Sequence, residues 1–143
     1  MSPGLLYLDS SALVKLILRE PETGVLLELL AGWPERVSSA LSRVEVLRAV
    51  RRAGLEDETF RRAEEVIGRI GLLRIDDDVL SVAARLGLPG LRTLDAMHLA
   101  TALSIGEQLA ALVTYDARLA EAARLSDIQV LMPYPSPGQT RHG

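Results

Sequence analysis

Four acidic residues, Asp9, Glu45, Asp95 and Asp116, carry the side-chain chemistry that this 143-residue sequence offers most consistently. They are far apart along the chain yet similarly placed locally. Asp9, Asp95 and Asp116 fall at or near the start of a helical pattern, and Glu45 reads as part of a helical first turn. Apolar, strand-like runs precede three of them: LLYL before Asp9, ERVSS before Glu45 and ALVTY before Asp116. In an open parallel α/β sheet such junctions gather along one edge, so the four carboxylates would converge on one acidic pocket. Carboxylates crowded at neighbouring strand ends repel one another unless a cation sits between them. Mg2+ or Mn2+ prefers oxygen ligands and keeps several waters, so a few carboxylates and a phosphate satisfy it. One ion can activate a water while an ion, or a pair about 3.5–4 Å apart, stabilises the leaving oxygen. The implied chemistry is metal-assisted cleavage of a phosphodiester.

Each acid also has a structural explanation. Asp9 and Asp116 suit N-caps, where a short acidic side chain accepts first-turn N–H groups and contributes ~1 kcal/mol. Ser42-Arg43-Val44-Glu45 reads as a capping box, with Glu45 reaching back to the Ser42 amide. Asp95 follows Thr93, itself a suitable cap, and would favour the positive end of a helix dipole.

The elements that must position these residues alternate. Strand-like runs occur at 5–8, around 36–39, at 72–75, 111–114 and 128–132; helical patterns occupy about 11–19, 22–31, 42–53, 57–70, 77–87, 94–105 and 117–124. Such alternation predicts an α/β fold: a central, mainly parallel sheet of about five strands flanked by helices. No internal repeat or linker divides the chain, so residues 1–132 read as one domain. The proline-containing tail 133–143 reads as flexible.

Composition narrows the chemistry. The core must be aliphatic, since 48% of residues are hydrophobic and only 3% aromatic. With no cysteine there is no thiolate nucleophile, thiolate metal site or disulfide, which fits a reducing cytoplasm. There is no glycine-rich phosphate loop, no basic leader and no apolar run long enough to span a bilayer, so a soluble, cytoplasmic protein is expected. A net charge of −3 is no general nucleic-acid footprint, but Arg43, Arg48, Arg51 and Arg52 cluster around Glu45.

Four blocks, LYLDSSALVKL, SRVEVLRA, LDAMHLATAL and VTYDARLAEAA, resemble in order the signature blocks of PIN-domain ribonucleases. The resemblance is greatest to the VapC toxins of VapBC toxin–antitoxin modules and runs from about Leu5 to Met132. It implies a PIN-like fold, with Asp9, Glu45, Asp95 and Asp116 as the catalytic and metal-holding acids. It also implies a Mg2+- or Mn2+-dependent endoribonuclease that cuts single-stranded or loop RNA, forms a homodimer and is neutralised by a VapB-type antitoxin. A PIN-like binding module without cleavage is the alternative. Aspartyl-phosphate enzymes fit less well: a phosphatase of that type would want an acid where Ser11 stands, and a receiver a late lysine, whereas Lys15 is the only lysine.

Nearby residues divide between the same readings. Ser10, Ser11, Thr93 and Thr114 sit beside the acids and would hydrogen-bond a carboxylate or serve as caps. Arg48 and Arg52 share a helical side with Glu45 and would meet RNA phosphates or pair with that acid. His98, three residues after Asp95, reads as a packed residue rather than a ligand, and Asp76-Asp77-Asp78 as a solvated helix start. His142 lies in the tail. Leu16, Ile17, Leu26, Leu27 and Leu30 would build core, dimer surface or an antitoxin groove.

Overall fold

The computed structural model describes residues 3–54 and 56–137. In chain order these form β1 (Leu5–Leu8), α1 (Ser10–Ile17), α2 (Thr23–Ala31), β2 (Arg36–Ser39), α3 (Ala40–Arg52), α4 (Asp57–Gly68), β3 (Gly71–Leu73), α5 (Asp77–Arg85), α6 (Thr93–Ile105), β4 (Leu109–Val113), α7 (Ala117–Leu125) and β5 (Val130–Leu131). A 3₁₀ turn at Gly106–Gln108, absent from the sequence expectation, leads into β4.

The strands form one sheet in the order β3-β2-β1-β4-β5, and every neighbouring pair is parallel. A parallel strand with helices over both faces must be apolar at successive positions, and Leu6, Tyr7 and Leu8 of β1 are all fully buried. Because side chains alternate across a strand, they enter two cores. Leu6 and Leu8 pack with Leu13, Leu26, Val46, Val50 and Ile67, which come from α1, α2, α3 and α4. Tyr7 packs with Leu99 and Ala102 of α6 and with Leu119 and Ala122 of α7. The α/β architecture read from the pattern is therefore the one observed.

Most differences lie at element ends and follow from pairing. β3 stops at Leu73 rather than residue 75 because its partner β2 stops at Ser39, the residue opposite. β5 is only Val130–Leu131, matched to the last two residues of β4. At the head of β1, Gly4 adopts φ +97°, and a Cβ there would lie 2.9 Å from the Gln108 carbonyl oxygen. Only glycine lets the two central strands approach so closely.

Two expected caps are corrected. The N-cap of α3 is Ser39, whose Oγ accepts the Leu41 amide at 3.1 Å, so the helix begins before Ser42. Ser42 is instead buried, 2.6 Å from the Ser38 hydroxyl, and Ser38 donates to the Leu8 carbonyl. The Ser42–Glu45 capping box does not form, and Glu45 lies in the second turn rather than the first. In α6, Thr93 is the first helical residue and the cap position belongs to Arg92.

Ile17, Leu26 and Leu30 are core residues, Leu16 is partly buried against them, and Leu27 is exposed. At the other end, Tyr115 donates to the Pro133 carbonyl at 2.9 Å and packs edge-on against Tyr134. Residues 138–143 of the expected flexible tail, with His142, lie outside the described residues.

Candidate active site

From β1 the chain proceeds to β2 and β3 on one side of the sheet, then returns to β4 and β5 on the other. A crevice opens at the carboxyl ends of the strands where the order reverses, here between β1 and β4. Asp9 directly follows β1, Thr114 and Asp116 follow β4, and α3 with Glu45 follows β2.

Asp9 is the most constrained of the four acids. It caps α1, accepting the Ala12 amide at 3.0 Å through Oδ1, and it is 3% exposed. The same Oδ1 accepts the Ser11 hydroxyl at 2.7 Å, and Oδ2 accepts the Thr114 hydroxyl at 2.6 Å. Both donors are themselves fixed by the loop after β4. Ser11 Oγ accepts the Tyr115 amide at 2.8 Å, and Thr114 Oγ1 accepts the Asp116 amide at 2.9 Å. Burial pushes the Asp9 carboxyl above its ordinary pKa, although the Thr114, Ser11 and Ala12 donors and nearby His98 pull the other way.

The other acids sit on three different helices: Asp116 caps α7, Asp95 lies in the first turn of α6 and Glu45 lies within α3. Asp116 caps α7, with Oδ1 accepting the Arg118 and Leu119 amides at 2.9 and 3.1 Å. Asp95, in the first turn of α6, accepts the Arg92 amide at 3.4 Å. Partial burial raises the Asp95 pKa, and the negative charge of Asp116 raises it further. Glu45 Oε1 lies 2.6 Å from His98 Nε2, while His98 Nδ1 lies 2.7 Å from the Tyr7 hydroxyl. Burial holds the Tyr7 phenol far above its usual pKa, reinforced by the charges of Asp9 and Glu45. Charge couples these groups in pairs: Asp95 feels Asp116, and Tyr7 feels Asp9 and Glu45.

A cavity of about 700 Å³ is lined by Ser10, Ser11, Glu45, Arg48, Arg52 and Tyr115 among others; of the four acids only Glu45 is on its wall, so the single pocket expected to hold all four is not what the structure forms. Lys15 also borders it, bound to Glu20 at 2.8 Å and Glu22 at 3.1 Å, with its ammonium 5.2 Å from the centre of the Tyr115 ring. Arg48 and Arg52 are exposed. The Asp76 run stands apart: Asp76 caps α5 by accepting the Val79 amide at 2.9 Å.

The donor set suits a hard divalent cation, being carboxylates supported by hydroxyls, with no sulfur ligand. Two of the acids are held at raised pKa, a cost that a cation would relieve. Among the described residues, no three acidic or histidine side chains stand close enough to cage an ion as they are. The residues therefore fit an open site completed by water and substrate oxygens rather than a closed protein cage. Two features escaped the sequence reading. The LLYL pattern places Tyr7 in an apolar strand and reads His98 as a packed residue, whereas in the structure His98 links Tyr7 to Glu45. The available signal was a lone aromatic hydroxyl in LLYL, on the opposite strand face from Leu6 and Leu8.

An all-parallel sheet with acids directly after its central strands β1 and β4 defines an α/β protein with a crevice at the carboxyl ends of those strands. The PIN domain family model matches residues 6–125. Ribonuclease VapC46 of Mycobacterium tuberculosis (strain ATCC 25618 / H37Rv) is 46% identical over 129 residues, covering 90% of this chain and 97% of that protein. Ribonuclease VapC35 of M. tuberculosis (strain CDC 1551 / Oshkosh) is 42% identical over 141 residues, covering 96% of this chain and all of that protein. A toxin–antitoxin complex from Klebsiella pneumoniae superimposes with a TM-score of 0.69 at 21% identity, covering 90% of this chain and 98% of its counterpart. The chain belongs to the PIN domain family and, within it, to the family of the VapC ribonucleases.

Proposed function

We propose that this protein is an endoribonuclease toxin of the VapC type, depends on Mg2+ or Mn2+, and is neutralised by a VapB-type antitoxin. The observation that carries the reading is the clamp on Asp9. A buried carboxylate at the sheet's switch point is oriented by Ser11 and Thr114, and Asp95 feels the charge of Asp116 at the start of the helix after β4. Relatives named as VapC ribonucleases support RNA as the substrate, and the toxin–antitoxin complex among similar folds supports the antitoxin.

In this reading Asp9, Glu45, Asp95 and Asp116 hold the ion, which supplies an activated water and neutralises phosphate charge. Ser11 and Thr114 keep Asp9 aimed. Arg48 and Arg52, on the cavity wall with Glu45, meet backbone phosphates with guanidinium groups suited to bidentate contact. Single-stranded or loop RNA is the substrate, because it exposes backbone and bases that a duplex hides. Residues 1–132 form the catalytic domain, and the protein acts in the cytoplasm as a homodimer. Among the described residues, no helix is long and apolar enough to cross a membrane.

The test is incubation of RNA with the protein in Mn2+, Mg2+ or EDTA, beside Asp9→Asn. Cleavage should need metal and disappear in the variant. Cleavage in EDTA, or equal cleavage by both proteins, would overturn the assignment. RNA binding without metal-dependent cleavage would instead make the chain a PIN-like binding module.

A further inference from the structure

A buried polar chain crosses the molecule beneath the acids. The Tyr7 hydroxyl is 2.7 Å from His98 Nδ1, and His98 Nε2 is 2.6 Å from Glu45 Oε1. Tyr7 is fully buried and His98 is 3% exposed. The three residues come from β1, α6 and α3, the elements that also carry or abut Asp9, Asp95 and Glu45. The rings meet edge to face, 5.9 Å between centroids at 77°.

Each ring nitrogen of His98 faces one partner, Nδ1 the Tyr7 hydroxyl and Nε2 the Glu45 carboxyl, and one arrangement of protons satisfies all three groups with a neutral ring. An ionised carboxylate can only accept hydrogen bonds, so His98 Nε2 carries a proton and donates to Glu45. A neutral imidazole then has an unprotonated Nδ1 that must accept, and the Tyr7 O–H is the donor beside it. Tyr7 thereby selects the imidazole tautomer, and His98 orients the carboxylate. Buried polar chains of this kind seldom out-stabilise a well-packed apolar substitute, so packing alone is a weak reason for one. Groups that hydrogen-bond behind a ligand hold its orientation and typically govern metal affinity by 10–100-fold.

We propose that Tyr7 and His98 are positioning residues that aim the Glu45 carboxylate at the cation site, with Tyr7 selecting the His98 tautomer. The inference rests on the metal-site reading above. Neither residue touches the ion or the RNA. Without the imidazole, Glu45 at the exposed edge of α3 is free to swing toward Arg48 or Arg52.

Two measurements on the full chain separate the relay from the metal reading. Mn2+ binding, followed by electron paramagnetic resonance, should weaken about 10–100-fold in His98→Leu and in Tyr7→Phe. His98→Gln, which returns an N–H donor toward Glu45, should recover most of the affinity. The double variant should be no weaker than His98→Leu alone, because both substitutions break one chain. Wild-type affinity in Tyr7→Phe and His98→Leu would overturn the proposal. If His98→Leu does not fold, Tyr7→Phe, which keeps the ring, decides the matter. Nitrogen NMR of the imidazole reads the relay without any metal. A neutral His98 protonated at Nε2, with that preference lost in Tyr7→Phe, supports it, whereas protonation at Nδ1 refutes it. Absence of Mn2+ binding by the wild-type protein would overturn both the metal reading and the relay's role toward a cation.

Discussion

Thr114 Oγ1 donates to Asp9 Oδ2 at 2.6 Å, joining residues 105 positions apart. The bond ties the end of β4 to the end of β1, where the backbone amide of Asp9 also donates to the Val113 carbonyl at 3.2 Å. One hydroxyl thus orients the innermost acid and, by accepting the Asp116 amide, fixes the start of the loop that carries another.

Thr114→Val keeps the shape but removes both bonds. Leaving a buried carboxylate oxygen and an amide without partners should cost about 1–3 kcal/mol, read as a lower urea midpoint. Thr114→Ser should restore most of it. An unchanged midpoint in Thr114→Val would show that the clamp contributes nothing to stability.

Asp9→Asn should change how stability depends on pH in metal-free buffer. The folded-state pKa of Asp9 is raised, so the folded protein binds its proton more readily than the unfolded chain does. The resulting stabilisation is fully present below the unfolded pKa, near 3.8, and is lost as pH rises through the folded value. Relative to wild type, Asp9→Asn should therefore gain stability from about pH 4 toward neutrality. Urea titrations across that range check the sign. Saturating Mn2+ at about 100 times its Kd should then raise wild-type stability by about 2.7 kcal/mol, with a smaller effect on the variant.

Asp116 combines a cap with a proposed ligand, and two substitutions separate the roles. Asparagine caps about as well as aspartate, so Asp116→Asn should lose cleavage while its thermal midpoint stays near that of wild type. Asp116→Ala should lose cleavage and also about 1 kcal/mol of stability. Full activity in Asp116→Asn would leave Asp116 with capping alone.

Arg48→Ala and Arg52→Ala should weaken RNA binding and flatten its salt dependence. Each lost phosphate contact should lower the slope of log K against log salt by about 0.7 for a single strand. Fluorescence anisotropy with a labelled oligonucleotide at several salt concentrations measures this. An unchanged slope would remove both arginines from the RNA path.

Much of this was legible in the sequence because it depends on local pattern. The LLYL run and the alternation of strand-like and helix-period segments predict an alternating α/β chain, and that chain is found. Asp9 and Asp116 read correctly as caps because cap chemistry is decided within a few residues. Ser42 did not, because a buried partner across the sheet, Ser38, drew its hydroxyl away from the helix start. The link from Tyr7 through His98 to Glu45 was hidden for the same reason: its hydrogen-bonded residues are 91 and 53 positions apart. β3 and β5 end sooner than their apolar runs because an edge strand runs only as far as its partner does.

The position of β1 has a consequence for biosynthesis. One of the two neighbours of β1, β4, is made about a hundred residues after it. Non-local pairing of this kind must await the distant segment. Until Thr114 emerges, Asp9 lacks its clamp and Asp116 does not yet exist, so a polypeptide interrupted before β4 carries only the β1 side of the crevice. The crevice between β1 and β4 therefore forms only once both segments have been made, and the Asp9–Thr114 bond forms with it.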